Sequence, residues 1–177
     1  MRLSRTARLA ALGFALTALA PAAHAQQVNP LPRFGVAFNG LVSTHDGIGI
    51  GVRGRATAPV NADLSIGLDL GATGFVLGGR NDASYVIEPQ LSVVINLPGQ
   101  DFGRVQNSRS SYLLAGVGAY LPTGQEDGSK GGPTVHVGLG WVQTLTETQI
   151  FYEINPALVV ARNNVGVAIP VRLGLIF

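Results

Sequence analysis

The clearest pattern in the chain is a period of two at its end, where positions 165, 167, 169, 171, 173, 175 and 177 are apolar. Gly166, Ala168, Pro170, Arg172 and Gly174 alternate with them. Successive side chains point to opposite faces of a strand, whereas a helix repeats at about 3.6 residues, so the pattern predicts a strand with one greasy face. The same alternation recurs along the chain and predicts eight strands, at about 33–42, 48–58, 64–75, 85–97, 111–121, 134–144, 150–161 and 165–177. Each is long enough to cross a bilayer when tilted, which takes about 9–11 residues. Turn-forming segments separate them, such as Thr44-His45-Asp46-Gly47 and Pro59-Val60-Asn61-Ala62-Asp63, so consecutive strands should pair antiparallel as a meander.

Sorting the alternation into faces separates two chemistries. One face carries Phe34, Val36, Phe38, Ile50, Val52, Ile66, Leu68, Leu70, Leu91, Val93, Val135, Val137, Trp141, Tyr152 and Ile154, with no charged residue. The other carries Asn39, Arg53, Arg55, Asp69, Glu88, Gln90, His136, Glu153, Asn155 and Arg172, with glycines between them. A lipid-exposed sheet must close on itself, because an open edge leaves backbone groups unpaired in hydrocarbon. The expected fold is therefore all-β: a closed eight-stranded antiparallel up-and-down transmembrane barrel, apolar outside and polar inside.

The first 25 residues change the picture of charge. Arg2, Arg5 and Arg8 precede an apolar run from Leu9 to Ala20, then Pro21 and Ala23-His24-Ala25, the layout of a secretory signal peptide. The expected domains are a signal peptide at 1–25 and a barrel at 26–177. Removal of the signal takes three of the 12 basic residues and none of the 10 acidic ones, turning the +2 net charge slightly negative. The basic character belongs to the address label and implies no nucleic-acid partner. With no cysteine and only His45 and His136 beyond the signal, a transition-metal site is not expected, nor is any cofactor. Gly49-Ile-Gly-Val-Arg-Gly54 matches a dinucleotide fingerprint in letters only, since no helix follows it.

The signal peptide, the eight alternating segments and the final Phe177 together resemble the small outer-membrane barrels of the OmpA/OmpX type across the mature length. The resemblance implies outer-membrane lipids as surroundings, both termini in the periplasm, a monomer, and Phe177 as the signal read by the barrel-assembly machinery. The links at 43–47 and 162–164 are short, which argues against a loop-based adhesin.

An eight-stranded barrel has room inside only for side chains or one small ligand, which excludes a wide porin. Arg53, Arg55 and Arg172 stand against Asp69, Glu88 and Glu153, and adjacent strands should place Arg53 and Arg55 beside Asp69 and Glu153 beside Arg172. Paired buried charges are tolerated, so the expected lumen is a polar plug in a barrel with a structural or interaction role. The alternative is a lipid-binding or lipid-modifying barrel. Lipid A deacylases pair a strand histidine with a serine two residues later, but His136 is followed at that spacing by Gly138, so no nucleophile stands there. Pro89, Pro156 and Pro170 cannot donate to a ladder, and each implies a bulge or an unpaired carbonyl. Pro156 and Pro170 fall on neighbouring strands and mark a candidate lateral gate, as in the outer-membrane palmitoyltransferases the chain resembles in this respect. A soluble lipocalin-like binder would need the two faces reversed.

Overall fold

A computed structural model describes residues 31–78, 84–97, 109–123, 131–145, 148–161 and 165–177. The expected signal peptide at 1–25 lies outside the described residues. Nine strands follow in order: β1 Arg33–Ser43, β2 Gly47–Pro59, β3 Leu64–Gly78, β4 Tyr85–Leu97, β5 Arg109–Thr123, β6 Gly132–Thr144, β7 Gln149–Ile154, β8 Ala157–Val160 and β9 Val165–Ile176. Each pairs antiparallel with its sequence neighbour from β1 to β7, and β9 closes the ring on β1. At the closure Phe34 and Phe177 exchange reciprocal backbone hydrogen bonds of 3.1 and 2.8 Å. Among the described residues no strand edge is left open to lipid, which is the condition for spanning a bilayer with strands.

β7 and β8 are two halves of one stave, which the alternation predicts as a single strand over 150–161. Both pair with β6 on one side and β9 on the other, and the barrel therefore has eight staves. The interruption at Asn155-Pro156 has a simple cause. Pro156 offers its carbonyl to Val137 N at 3.1 Å but has no N–H to return the bond, and Pro170 does the same toward Asn155 N at 3.1 Å. Register is unchanged across the break, from Ile154↔Val171 to Ala157↔Ala168. Of the two outcomes expected of proline, both sites show a missing donor without a bulge, Pro156 on the β6 side of the stave and Pro170 on its β9 side. The bulge lies elsewhere, where Ile48 pairs with Leu77 but Gly49 with Phe75, leaving Val76 without a partner on β2.

The two faces separate as the alternation predicts. Phe38, Ile50, Leu68, Val137 and Leu173 all point outward, Phe38 with 75% of its surface exposed, while Asn39, Asp69, Glu153 and Arg172 are at most 1% exposed. On the fifth strand, where the adjacent Leu113 and Leu114 would suit either face, Leu113 turns out and Leu114 in. Outward aromatics gather at the terminal end of the barrel, where Trp141 faces Tyr152 across β6–β7 near Phe34 and Phe177. At the loop end Tyr85 points outward, while Phe75 and Tyr120 turn into an inner apolar cluster with Leu41, Val86, Val159 and Ala168.

The turns explain how the staves connect so tightly. Between β1 and β2 the chain reverses at Thr44–Asp46, and Gly47 takes φ 93°, a value that side chains disfavour. Ser43 Oγ accepts from the amides of His45 and Asp46 at 3.3 Å each. At the terminal end Asn61 Oδ1 accepts from Asp63 N at 2.9 Å and Leu64 N at 2.7 Å, a side-chain mimic of a backbone turn.

Candidate functional site: the charged lumen

The inward face of β2 lowers Arg53 and Arg55 into the barrel two residues apart, so both arginines enter from one wall. Arg55 lies opposite Asp69 in the β2–β3 register, and its Nε donates to Asp69 Oδ1 at 2.8 Å. Its other end crosses the lumen. Arg55 Nη1 and Nη2 donate to Glu153 Oε2 and Oε1 at 2.7 and 3.1 Å, the two-point geometry that suits a planar guanidinium. Glu153 in turn lies opposite Arg172 in the β7–β9 register and is ion-paired with it. Tyr112 Oη donates to Glu153 Oε2 at 2.8 Å. Phe151 completes the layer, its ring centroid 5.1 Å from Arg55 Cζ.

Arg53 departs from the expected partner. Its cross-strand neighbour on β3 is Gly71, and the side chain passes over that glycine to reach Glu88 on β4, Nη2 to Oε2 at 3.2 Å. A β-carbon at Gly71 would sit 2.7 Å from Arg53 Nη2. The inward glycines therefore serve as seats for larger groups: Gly71 for Arg53, Gly140 for the Tyr112 ring and Gly174 for Phe151.

All six charged residues expected in the lumen lie inside the barrel, and four of them, Arg55, Asp69, Glu153 and Arg172, form one connected network. Neutral partners extend it, with Arg172 Nη2 donating to Gln90 Oε1 at 2.9 Å. The Asn155 amide, with its oxygen turned toward the guanidinium, accepts from Arg172 Nη1 and Nη2 at 3.1 and 3.3 Å. Pairing across adjacent strands is readable from spacing, and Tyr112 reaches Glu153 over Gly140 on the strand between them, but the bonds from Arg55 to Glu153 and the stacking of Arg55 on Phe151 cross the lumen. Only barrel closure brings them together.

Sequence spacing also missed a contact at His136. Its Nε2 lies 2.9 Å from Ser92 Oγ on β4, across Gly116, which leaves room for both side chains. Neither residue is more than 3% exposed, and His136 Nδ1 has no hydrogen-bond partner, so no acid orients the ring as a hydrolytic triad requires. His45 lies in the β1–β2 turn with its Nδ1 3.2 Å from Thr44 Oγ1, while the Ser43 hydroxyl is occupied by the turn amides. Among the described residues no group of three metal-ligating side chains exists.

Pro156 faces outward on the seventh stave and Pro170 inward on β9, and Phe177 ends the last stave against Phe34. At the terminal end the lumen opens into a cavity of about 380 Å³, whose floor includes Arg55 and Tyr112.

No known family profile and no curated protein sequence matches the chain. Solved structures do. Neisserial surface protein A superposes with a TM-score of 0.64 at 14% identity, covering 82% of this chain and 95% of that one. The N-terminal β-barrel domain of Pseudomonas aeruginosa OprF gives 0.52 at 15% identity, covering 82% and 97%. The chain has the fold of the small eight-stranded outer-membrane barrels, closed and antiparallel, with a charged interior.

Proposed function

We propose that the protein is an integral outer-membrane barrel with a structural or interaction role, its lumen filled by a polar network that closes it to ions and leaves it without catalysis. One observation carries this reading: an exterior of unbroken apolar side chains surrounds an interior in which Arg53, Arg55 and Arg172 are paired with Asp69, Glu88 and Glu153. In water the exterior would be an aggregation surface. In lipid it is the required one, and the paired interior removes the isolated charges that would make a dry lumen untenable. The short β1–β2 turn, held to β9 by Thr44 N donating to Val167 O at 3.0 Å, favours a scaffold over a long-loop adhesin. β1 begins and β9 ends at the same end of the barrel, and that end is read as periplasmic, with outer-membrane lipids around the barrel, a monomeric state, and Phe177 presented to the assembly machinery.

Unboiled protein from isolated outer membranes should run on SDS gels as a compact band that shifts on boiling. The purified barrel in planar bilayers should give no single-channel steps. A soluble periplasmic protein without a heat shift would overturn the membrane assignment, and discrete conductance would overturn the closed lumen.

A second reading, lateral lipid access into a lipid-binding or lipid-modifying barrel, is favoured by the prolines that flank the seventh stave, one on its β6 side and one on its β9 side. Pro156 and Pro170 withdraw two ladder donors at adjacent points between β6 and β9.

A further inference from the structure

The lumen is not symmetric from end to end. At the loop end Leu41, Val86, Tyr120, Val159 and Ala168 pack against one another, and Tyr120 Oη donates to Asp46 Oδ2 at 2.7 Å. At the terminal end the staves surround the cavity of about 380 Å³. Whatever enters does so from the side of the termini and stops at the layer of Arg55, Tyr112 and Glu153.

The lining has a distinct chemistry. Among the described residues it contains two guanidiniums, Arg33 at the rim and Arg55 at the floor, and no carboxylate. Arg55 is already matched by Asp69 and Glu153. Arg33 is not: its one side-chain bond is from Nη1 to the neutral amide oxygen of Gln149 at 3.2 Å, and it makes no ion pair among the described residues. A guanidinium has five N–H donors, so Arg33 keeps most of them for a guest. The hydroxyls of Thr57, Ser65 and Ser110 also line the cavity and have no side-chain partner among the described residues. Val94, Val142 and Ile176 supply apolar wall between them.

We propose that this mouth is a binding site for the carboxylate end of a short peptide with small apolar side chains. The three parts of the lining match the three parts of such a guest. Arg33 takes the carboxylate, the hydroxyls meet peptide N–H and C=O groups, and the apolar wall covers side chains. A sugar leaves the wall unused and a fatty acid leaves the hydroxyls unsatisfied. The volume is at the small end of ligand pockets, which run from roughly 300 to 1,000 Å³, and it limits the guest to two or three residues. The site goes beyond the scaffold reading and stands whether or not the lumen conducts.

The test is a titration of the full barrel in nanodiscs, followed by amide chemical shifts of β1, β5 and β7. Tri-alanine, tri-alanine amide and hexanoate are the probes. The free acid should shift residues around Arg33, Ser110 and Gln149 saturably, and the amide should bind at least fivefold more weakly. Arg33→Gln, at the exposed rim, should abolish that preference while leaving the rest of the spectrum in place. Ser110→Phe, which fills the mouth without touching the charge, should remove binding of every probe. Equal binding of acid and amide, hexanoate binding as well as the tripeptide, or unchanged binding by Arg33→Gln would each overturn the proposal. Because the heat-shift and conductance assays do not depend on the mouth, failure here leaves their outcome separate.

Discussion

Glu153 is the point where the lumen network can be broken most cleanly. Its two oxygens receive Arg55 twice, Tyr112 once and Arg172 once, and its side chain is 0% exposed. Glu153→Gln preserves the volume but removes the charge and turns an amide N–H₂ toward at least one donor that cannot reverse. Arg55 keeps Asp69 at 2.8 Å, whereas Arg172 is left with only the neutral amides of Gln90 and Asn155. The loss therefore amounts to one uncompensated buried guanidinium, for which breaking a buried pair costs about 3–5 kcal/mol. Arg172→Met in the Glu153→Gln background removes that orphan, so the double variant should be more stable than the sum of the singles by roughly 2 kcal/mol, within the range of coupled neighbours. Urea unfolding from lipid vesicles can be followed by the emission of Trp141, which faces outward and is the single tryptophan. A cost for Glu153→Gln below about 1 kcal/mol, or strict additivity, would mean that water screens these charges and that the lumen is not the closed ionic layer described here.

Four further outcomes follow from the same geometry. Leu70→Arg, on the outward face near the middle of β3, should cost about 2–4 kcal/mol in the vesicle unfolding assay, and a cost near zero would place that face in water. Gly140→Ala should cost roughly 1–3 kcal/mol because its β-carbon would lie 2.6 Å from Tyr112 Cε1, while Gly54→Ala, with nothing within 4 Å, should gain up to about 0.5 kcal/mol; equal effects would remove the seat argument. Pro156→Val with Pro170→Val restores two ladder donors and should raise unfolding stability by roughly 0.5–1.5 kcal/mol per bond, and on the lateral-access reading it should also slow photo-crosslinking of labelled lipid into the lumen. Identical stability and lipid labelling would end the gate reading. Phe177→Ala should refold normally in detergent yet accumulate less in the outer membrane, and normal accumulation would deny it a role as assembly signal.

The fold was legible because bilayer and lumen impose opposite demands on alternate residues. A one-residue slip would put Asp69 or Glu153 into lipid, and that cost fixes the register of most staves without knowledge of their neighbours. Strand five shows where this logic weakens. Leu113 and Leu114 satisfy either face, and the choice falls to Tyr112, whose ring occupies the space over Gly140 and whose hydroxyl reaches Glu153. The broken seventh stave was half legible. Pro156 announces a missing donor, but whether the chain bulges or loses one bond depends on the strands beside it, and here Val137 N and Asn155 N still find the proline carbonyls.

The candidate site was legible only in the plane of the sheet. Glu153 and Arg172 pair across β7–β9, and Arg55 and Asp69 across β2–β3, because neighbours in a meander can be read from spacing. Contacts over the barrel axis obey a different geometry, in which the stagger of the closed sheet sets which levels of opposite walls coincide. Arg55 meets Glu153 on those terms, and Arg53 reaches Glu88 only because Gly71 between them has no side chain. The terminal mouth is harder still to read. Its lining comes from strand ends and turns scattered between Arg33 and Ile176, and what distinguishes it is that none of these described residues brings a carboxylate to Arg33. A pattern along the chain records which residues are present. A missing counter-charge becomes visible only when all the walls stand around one cavity, and for that reason Arg33 reads as an ordinary strand-end cation in the sequence and as an open donor in the barrel.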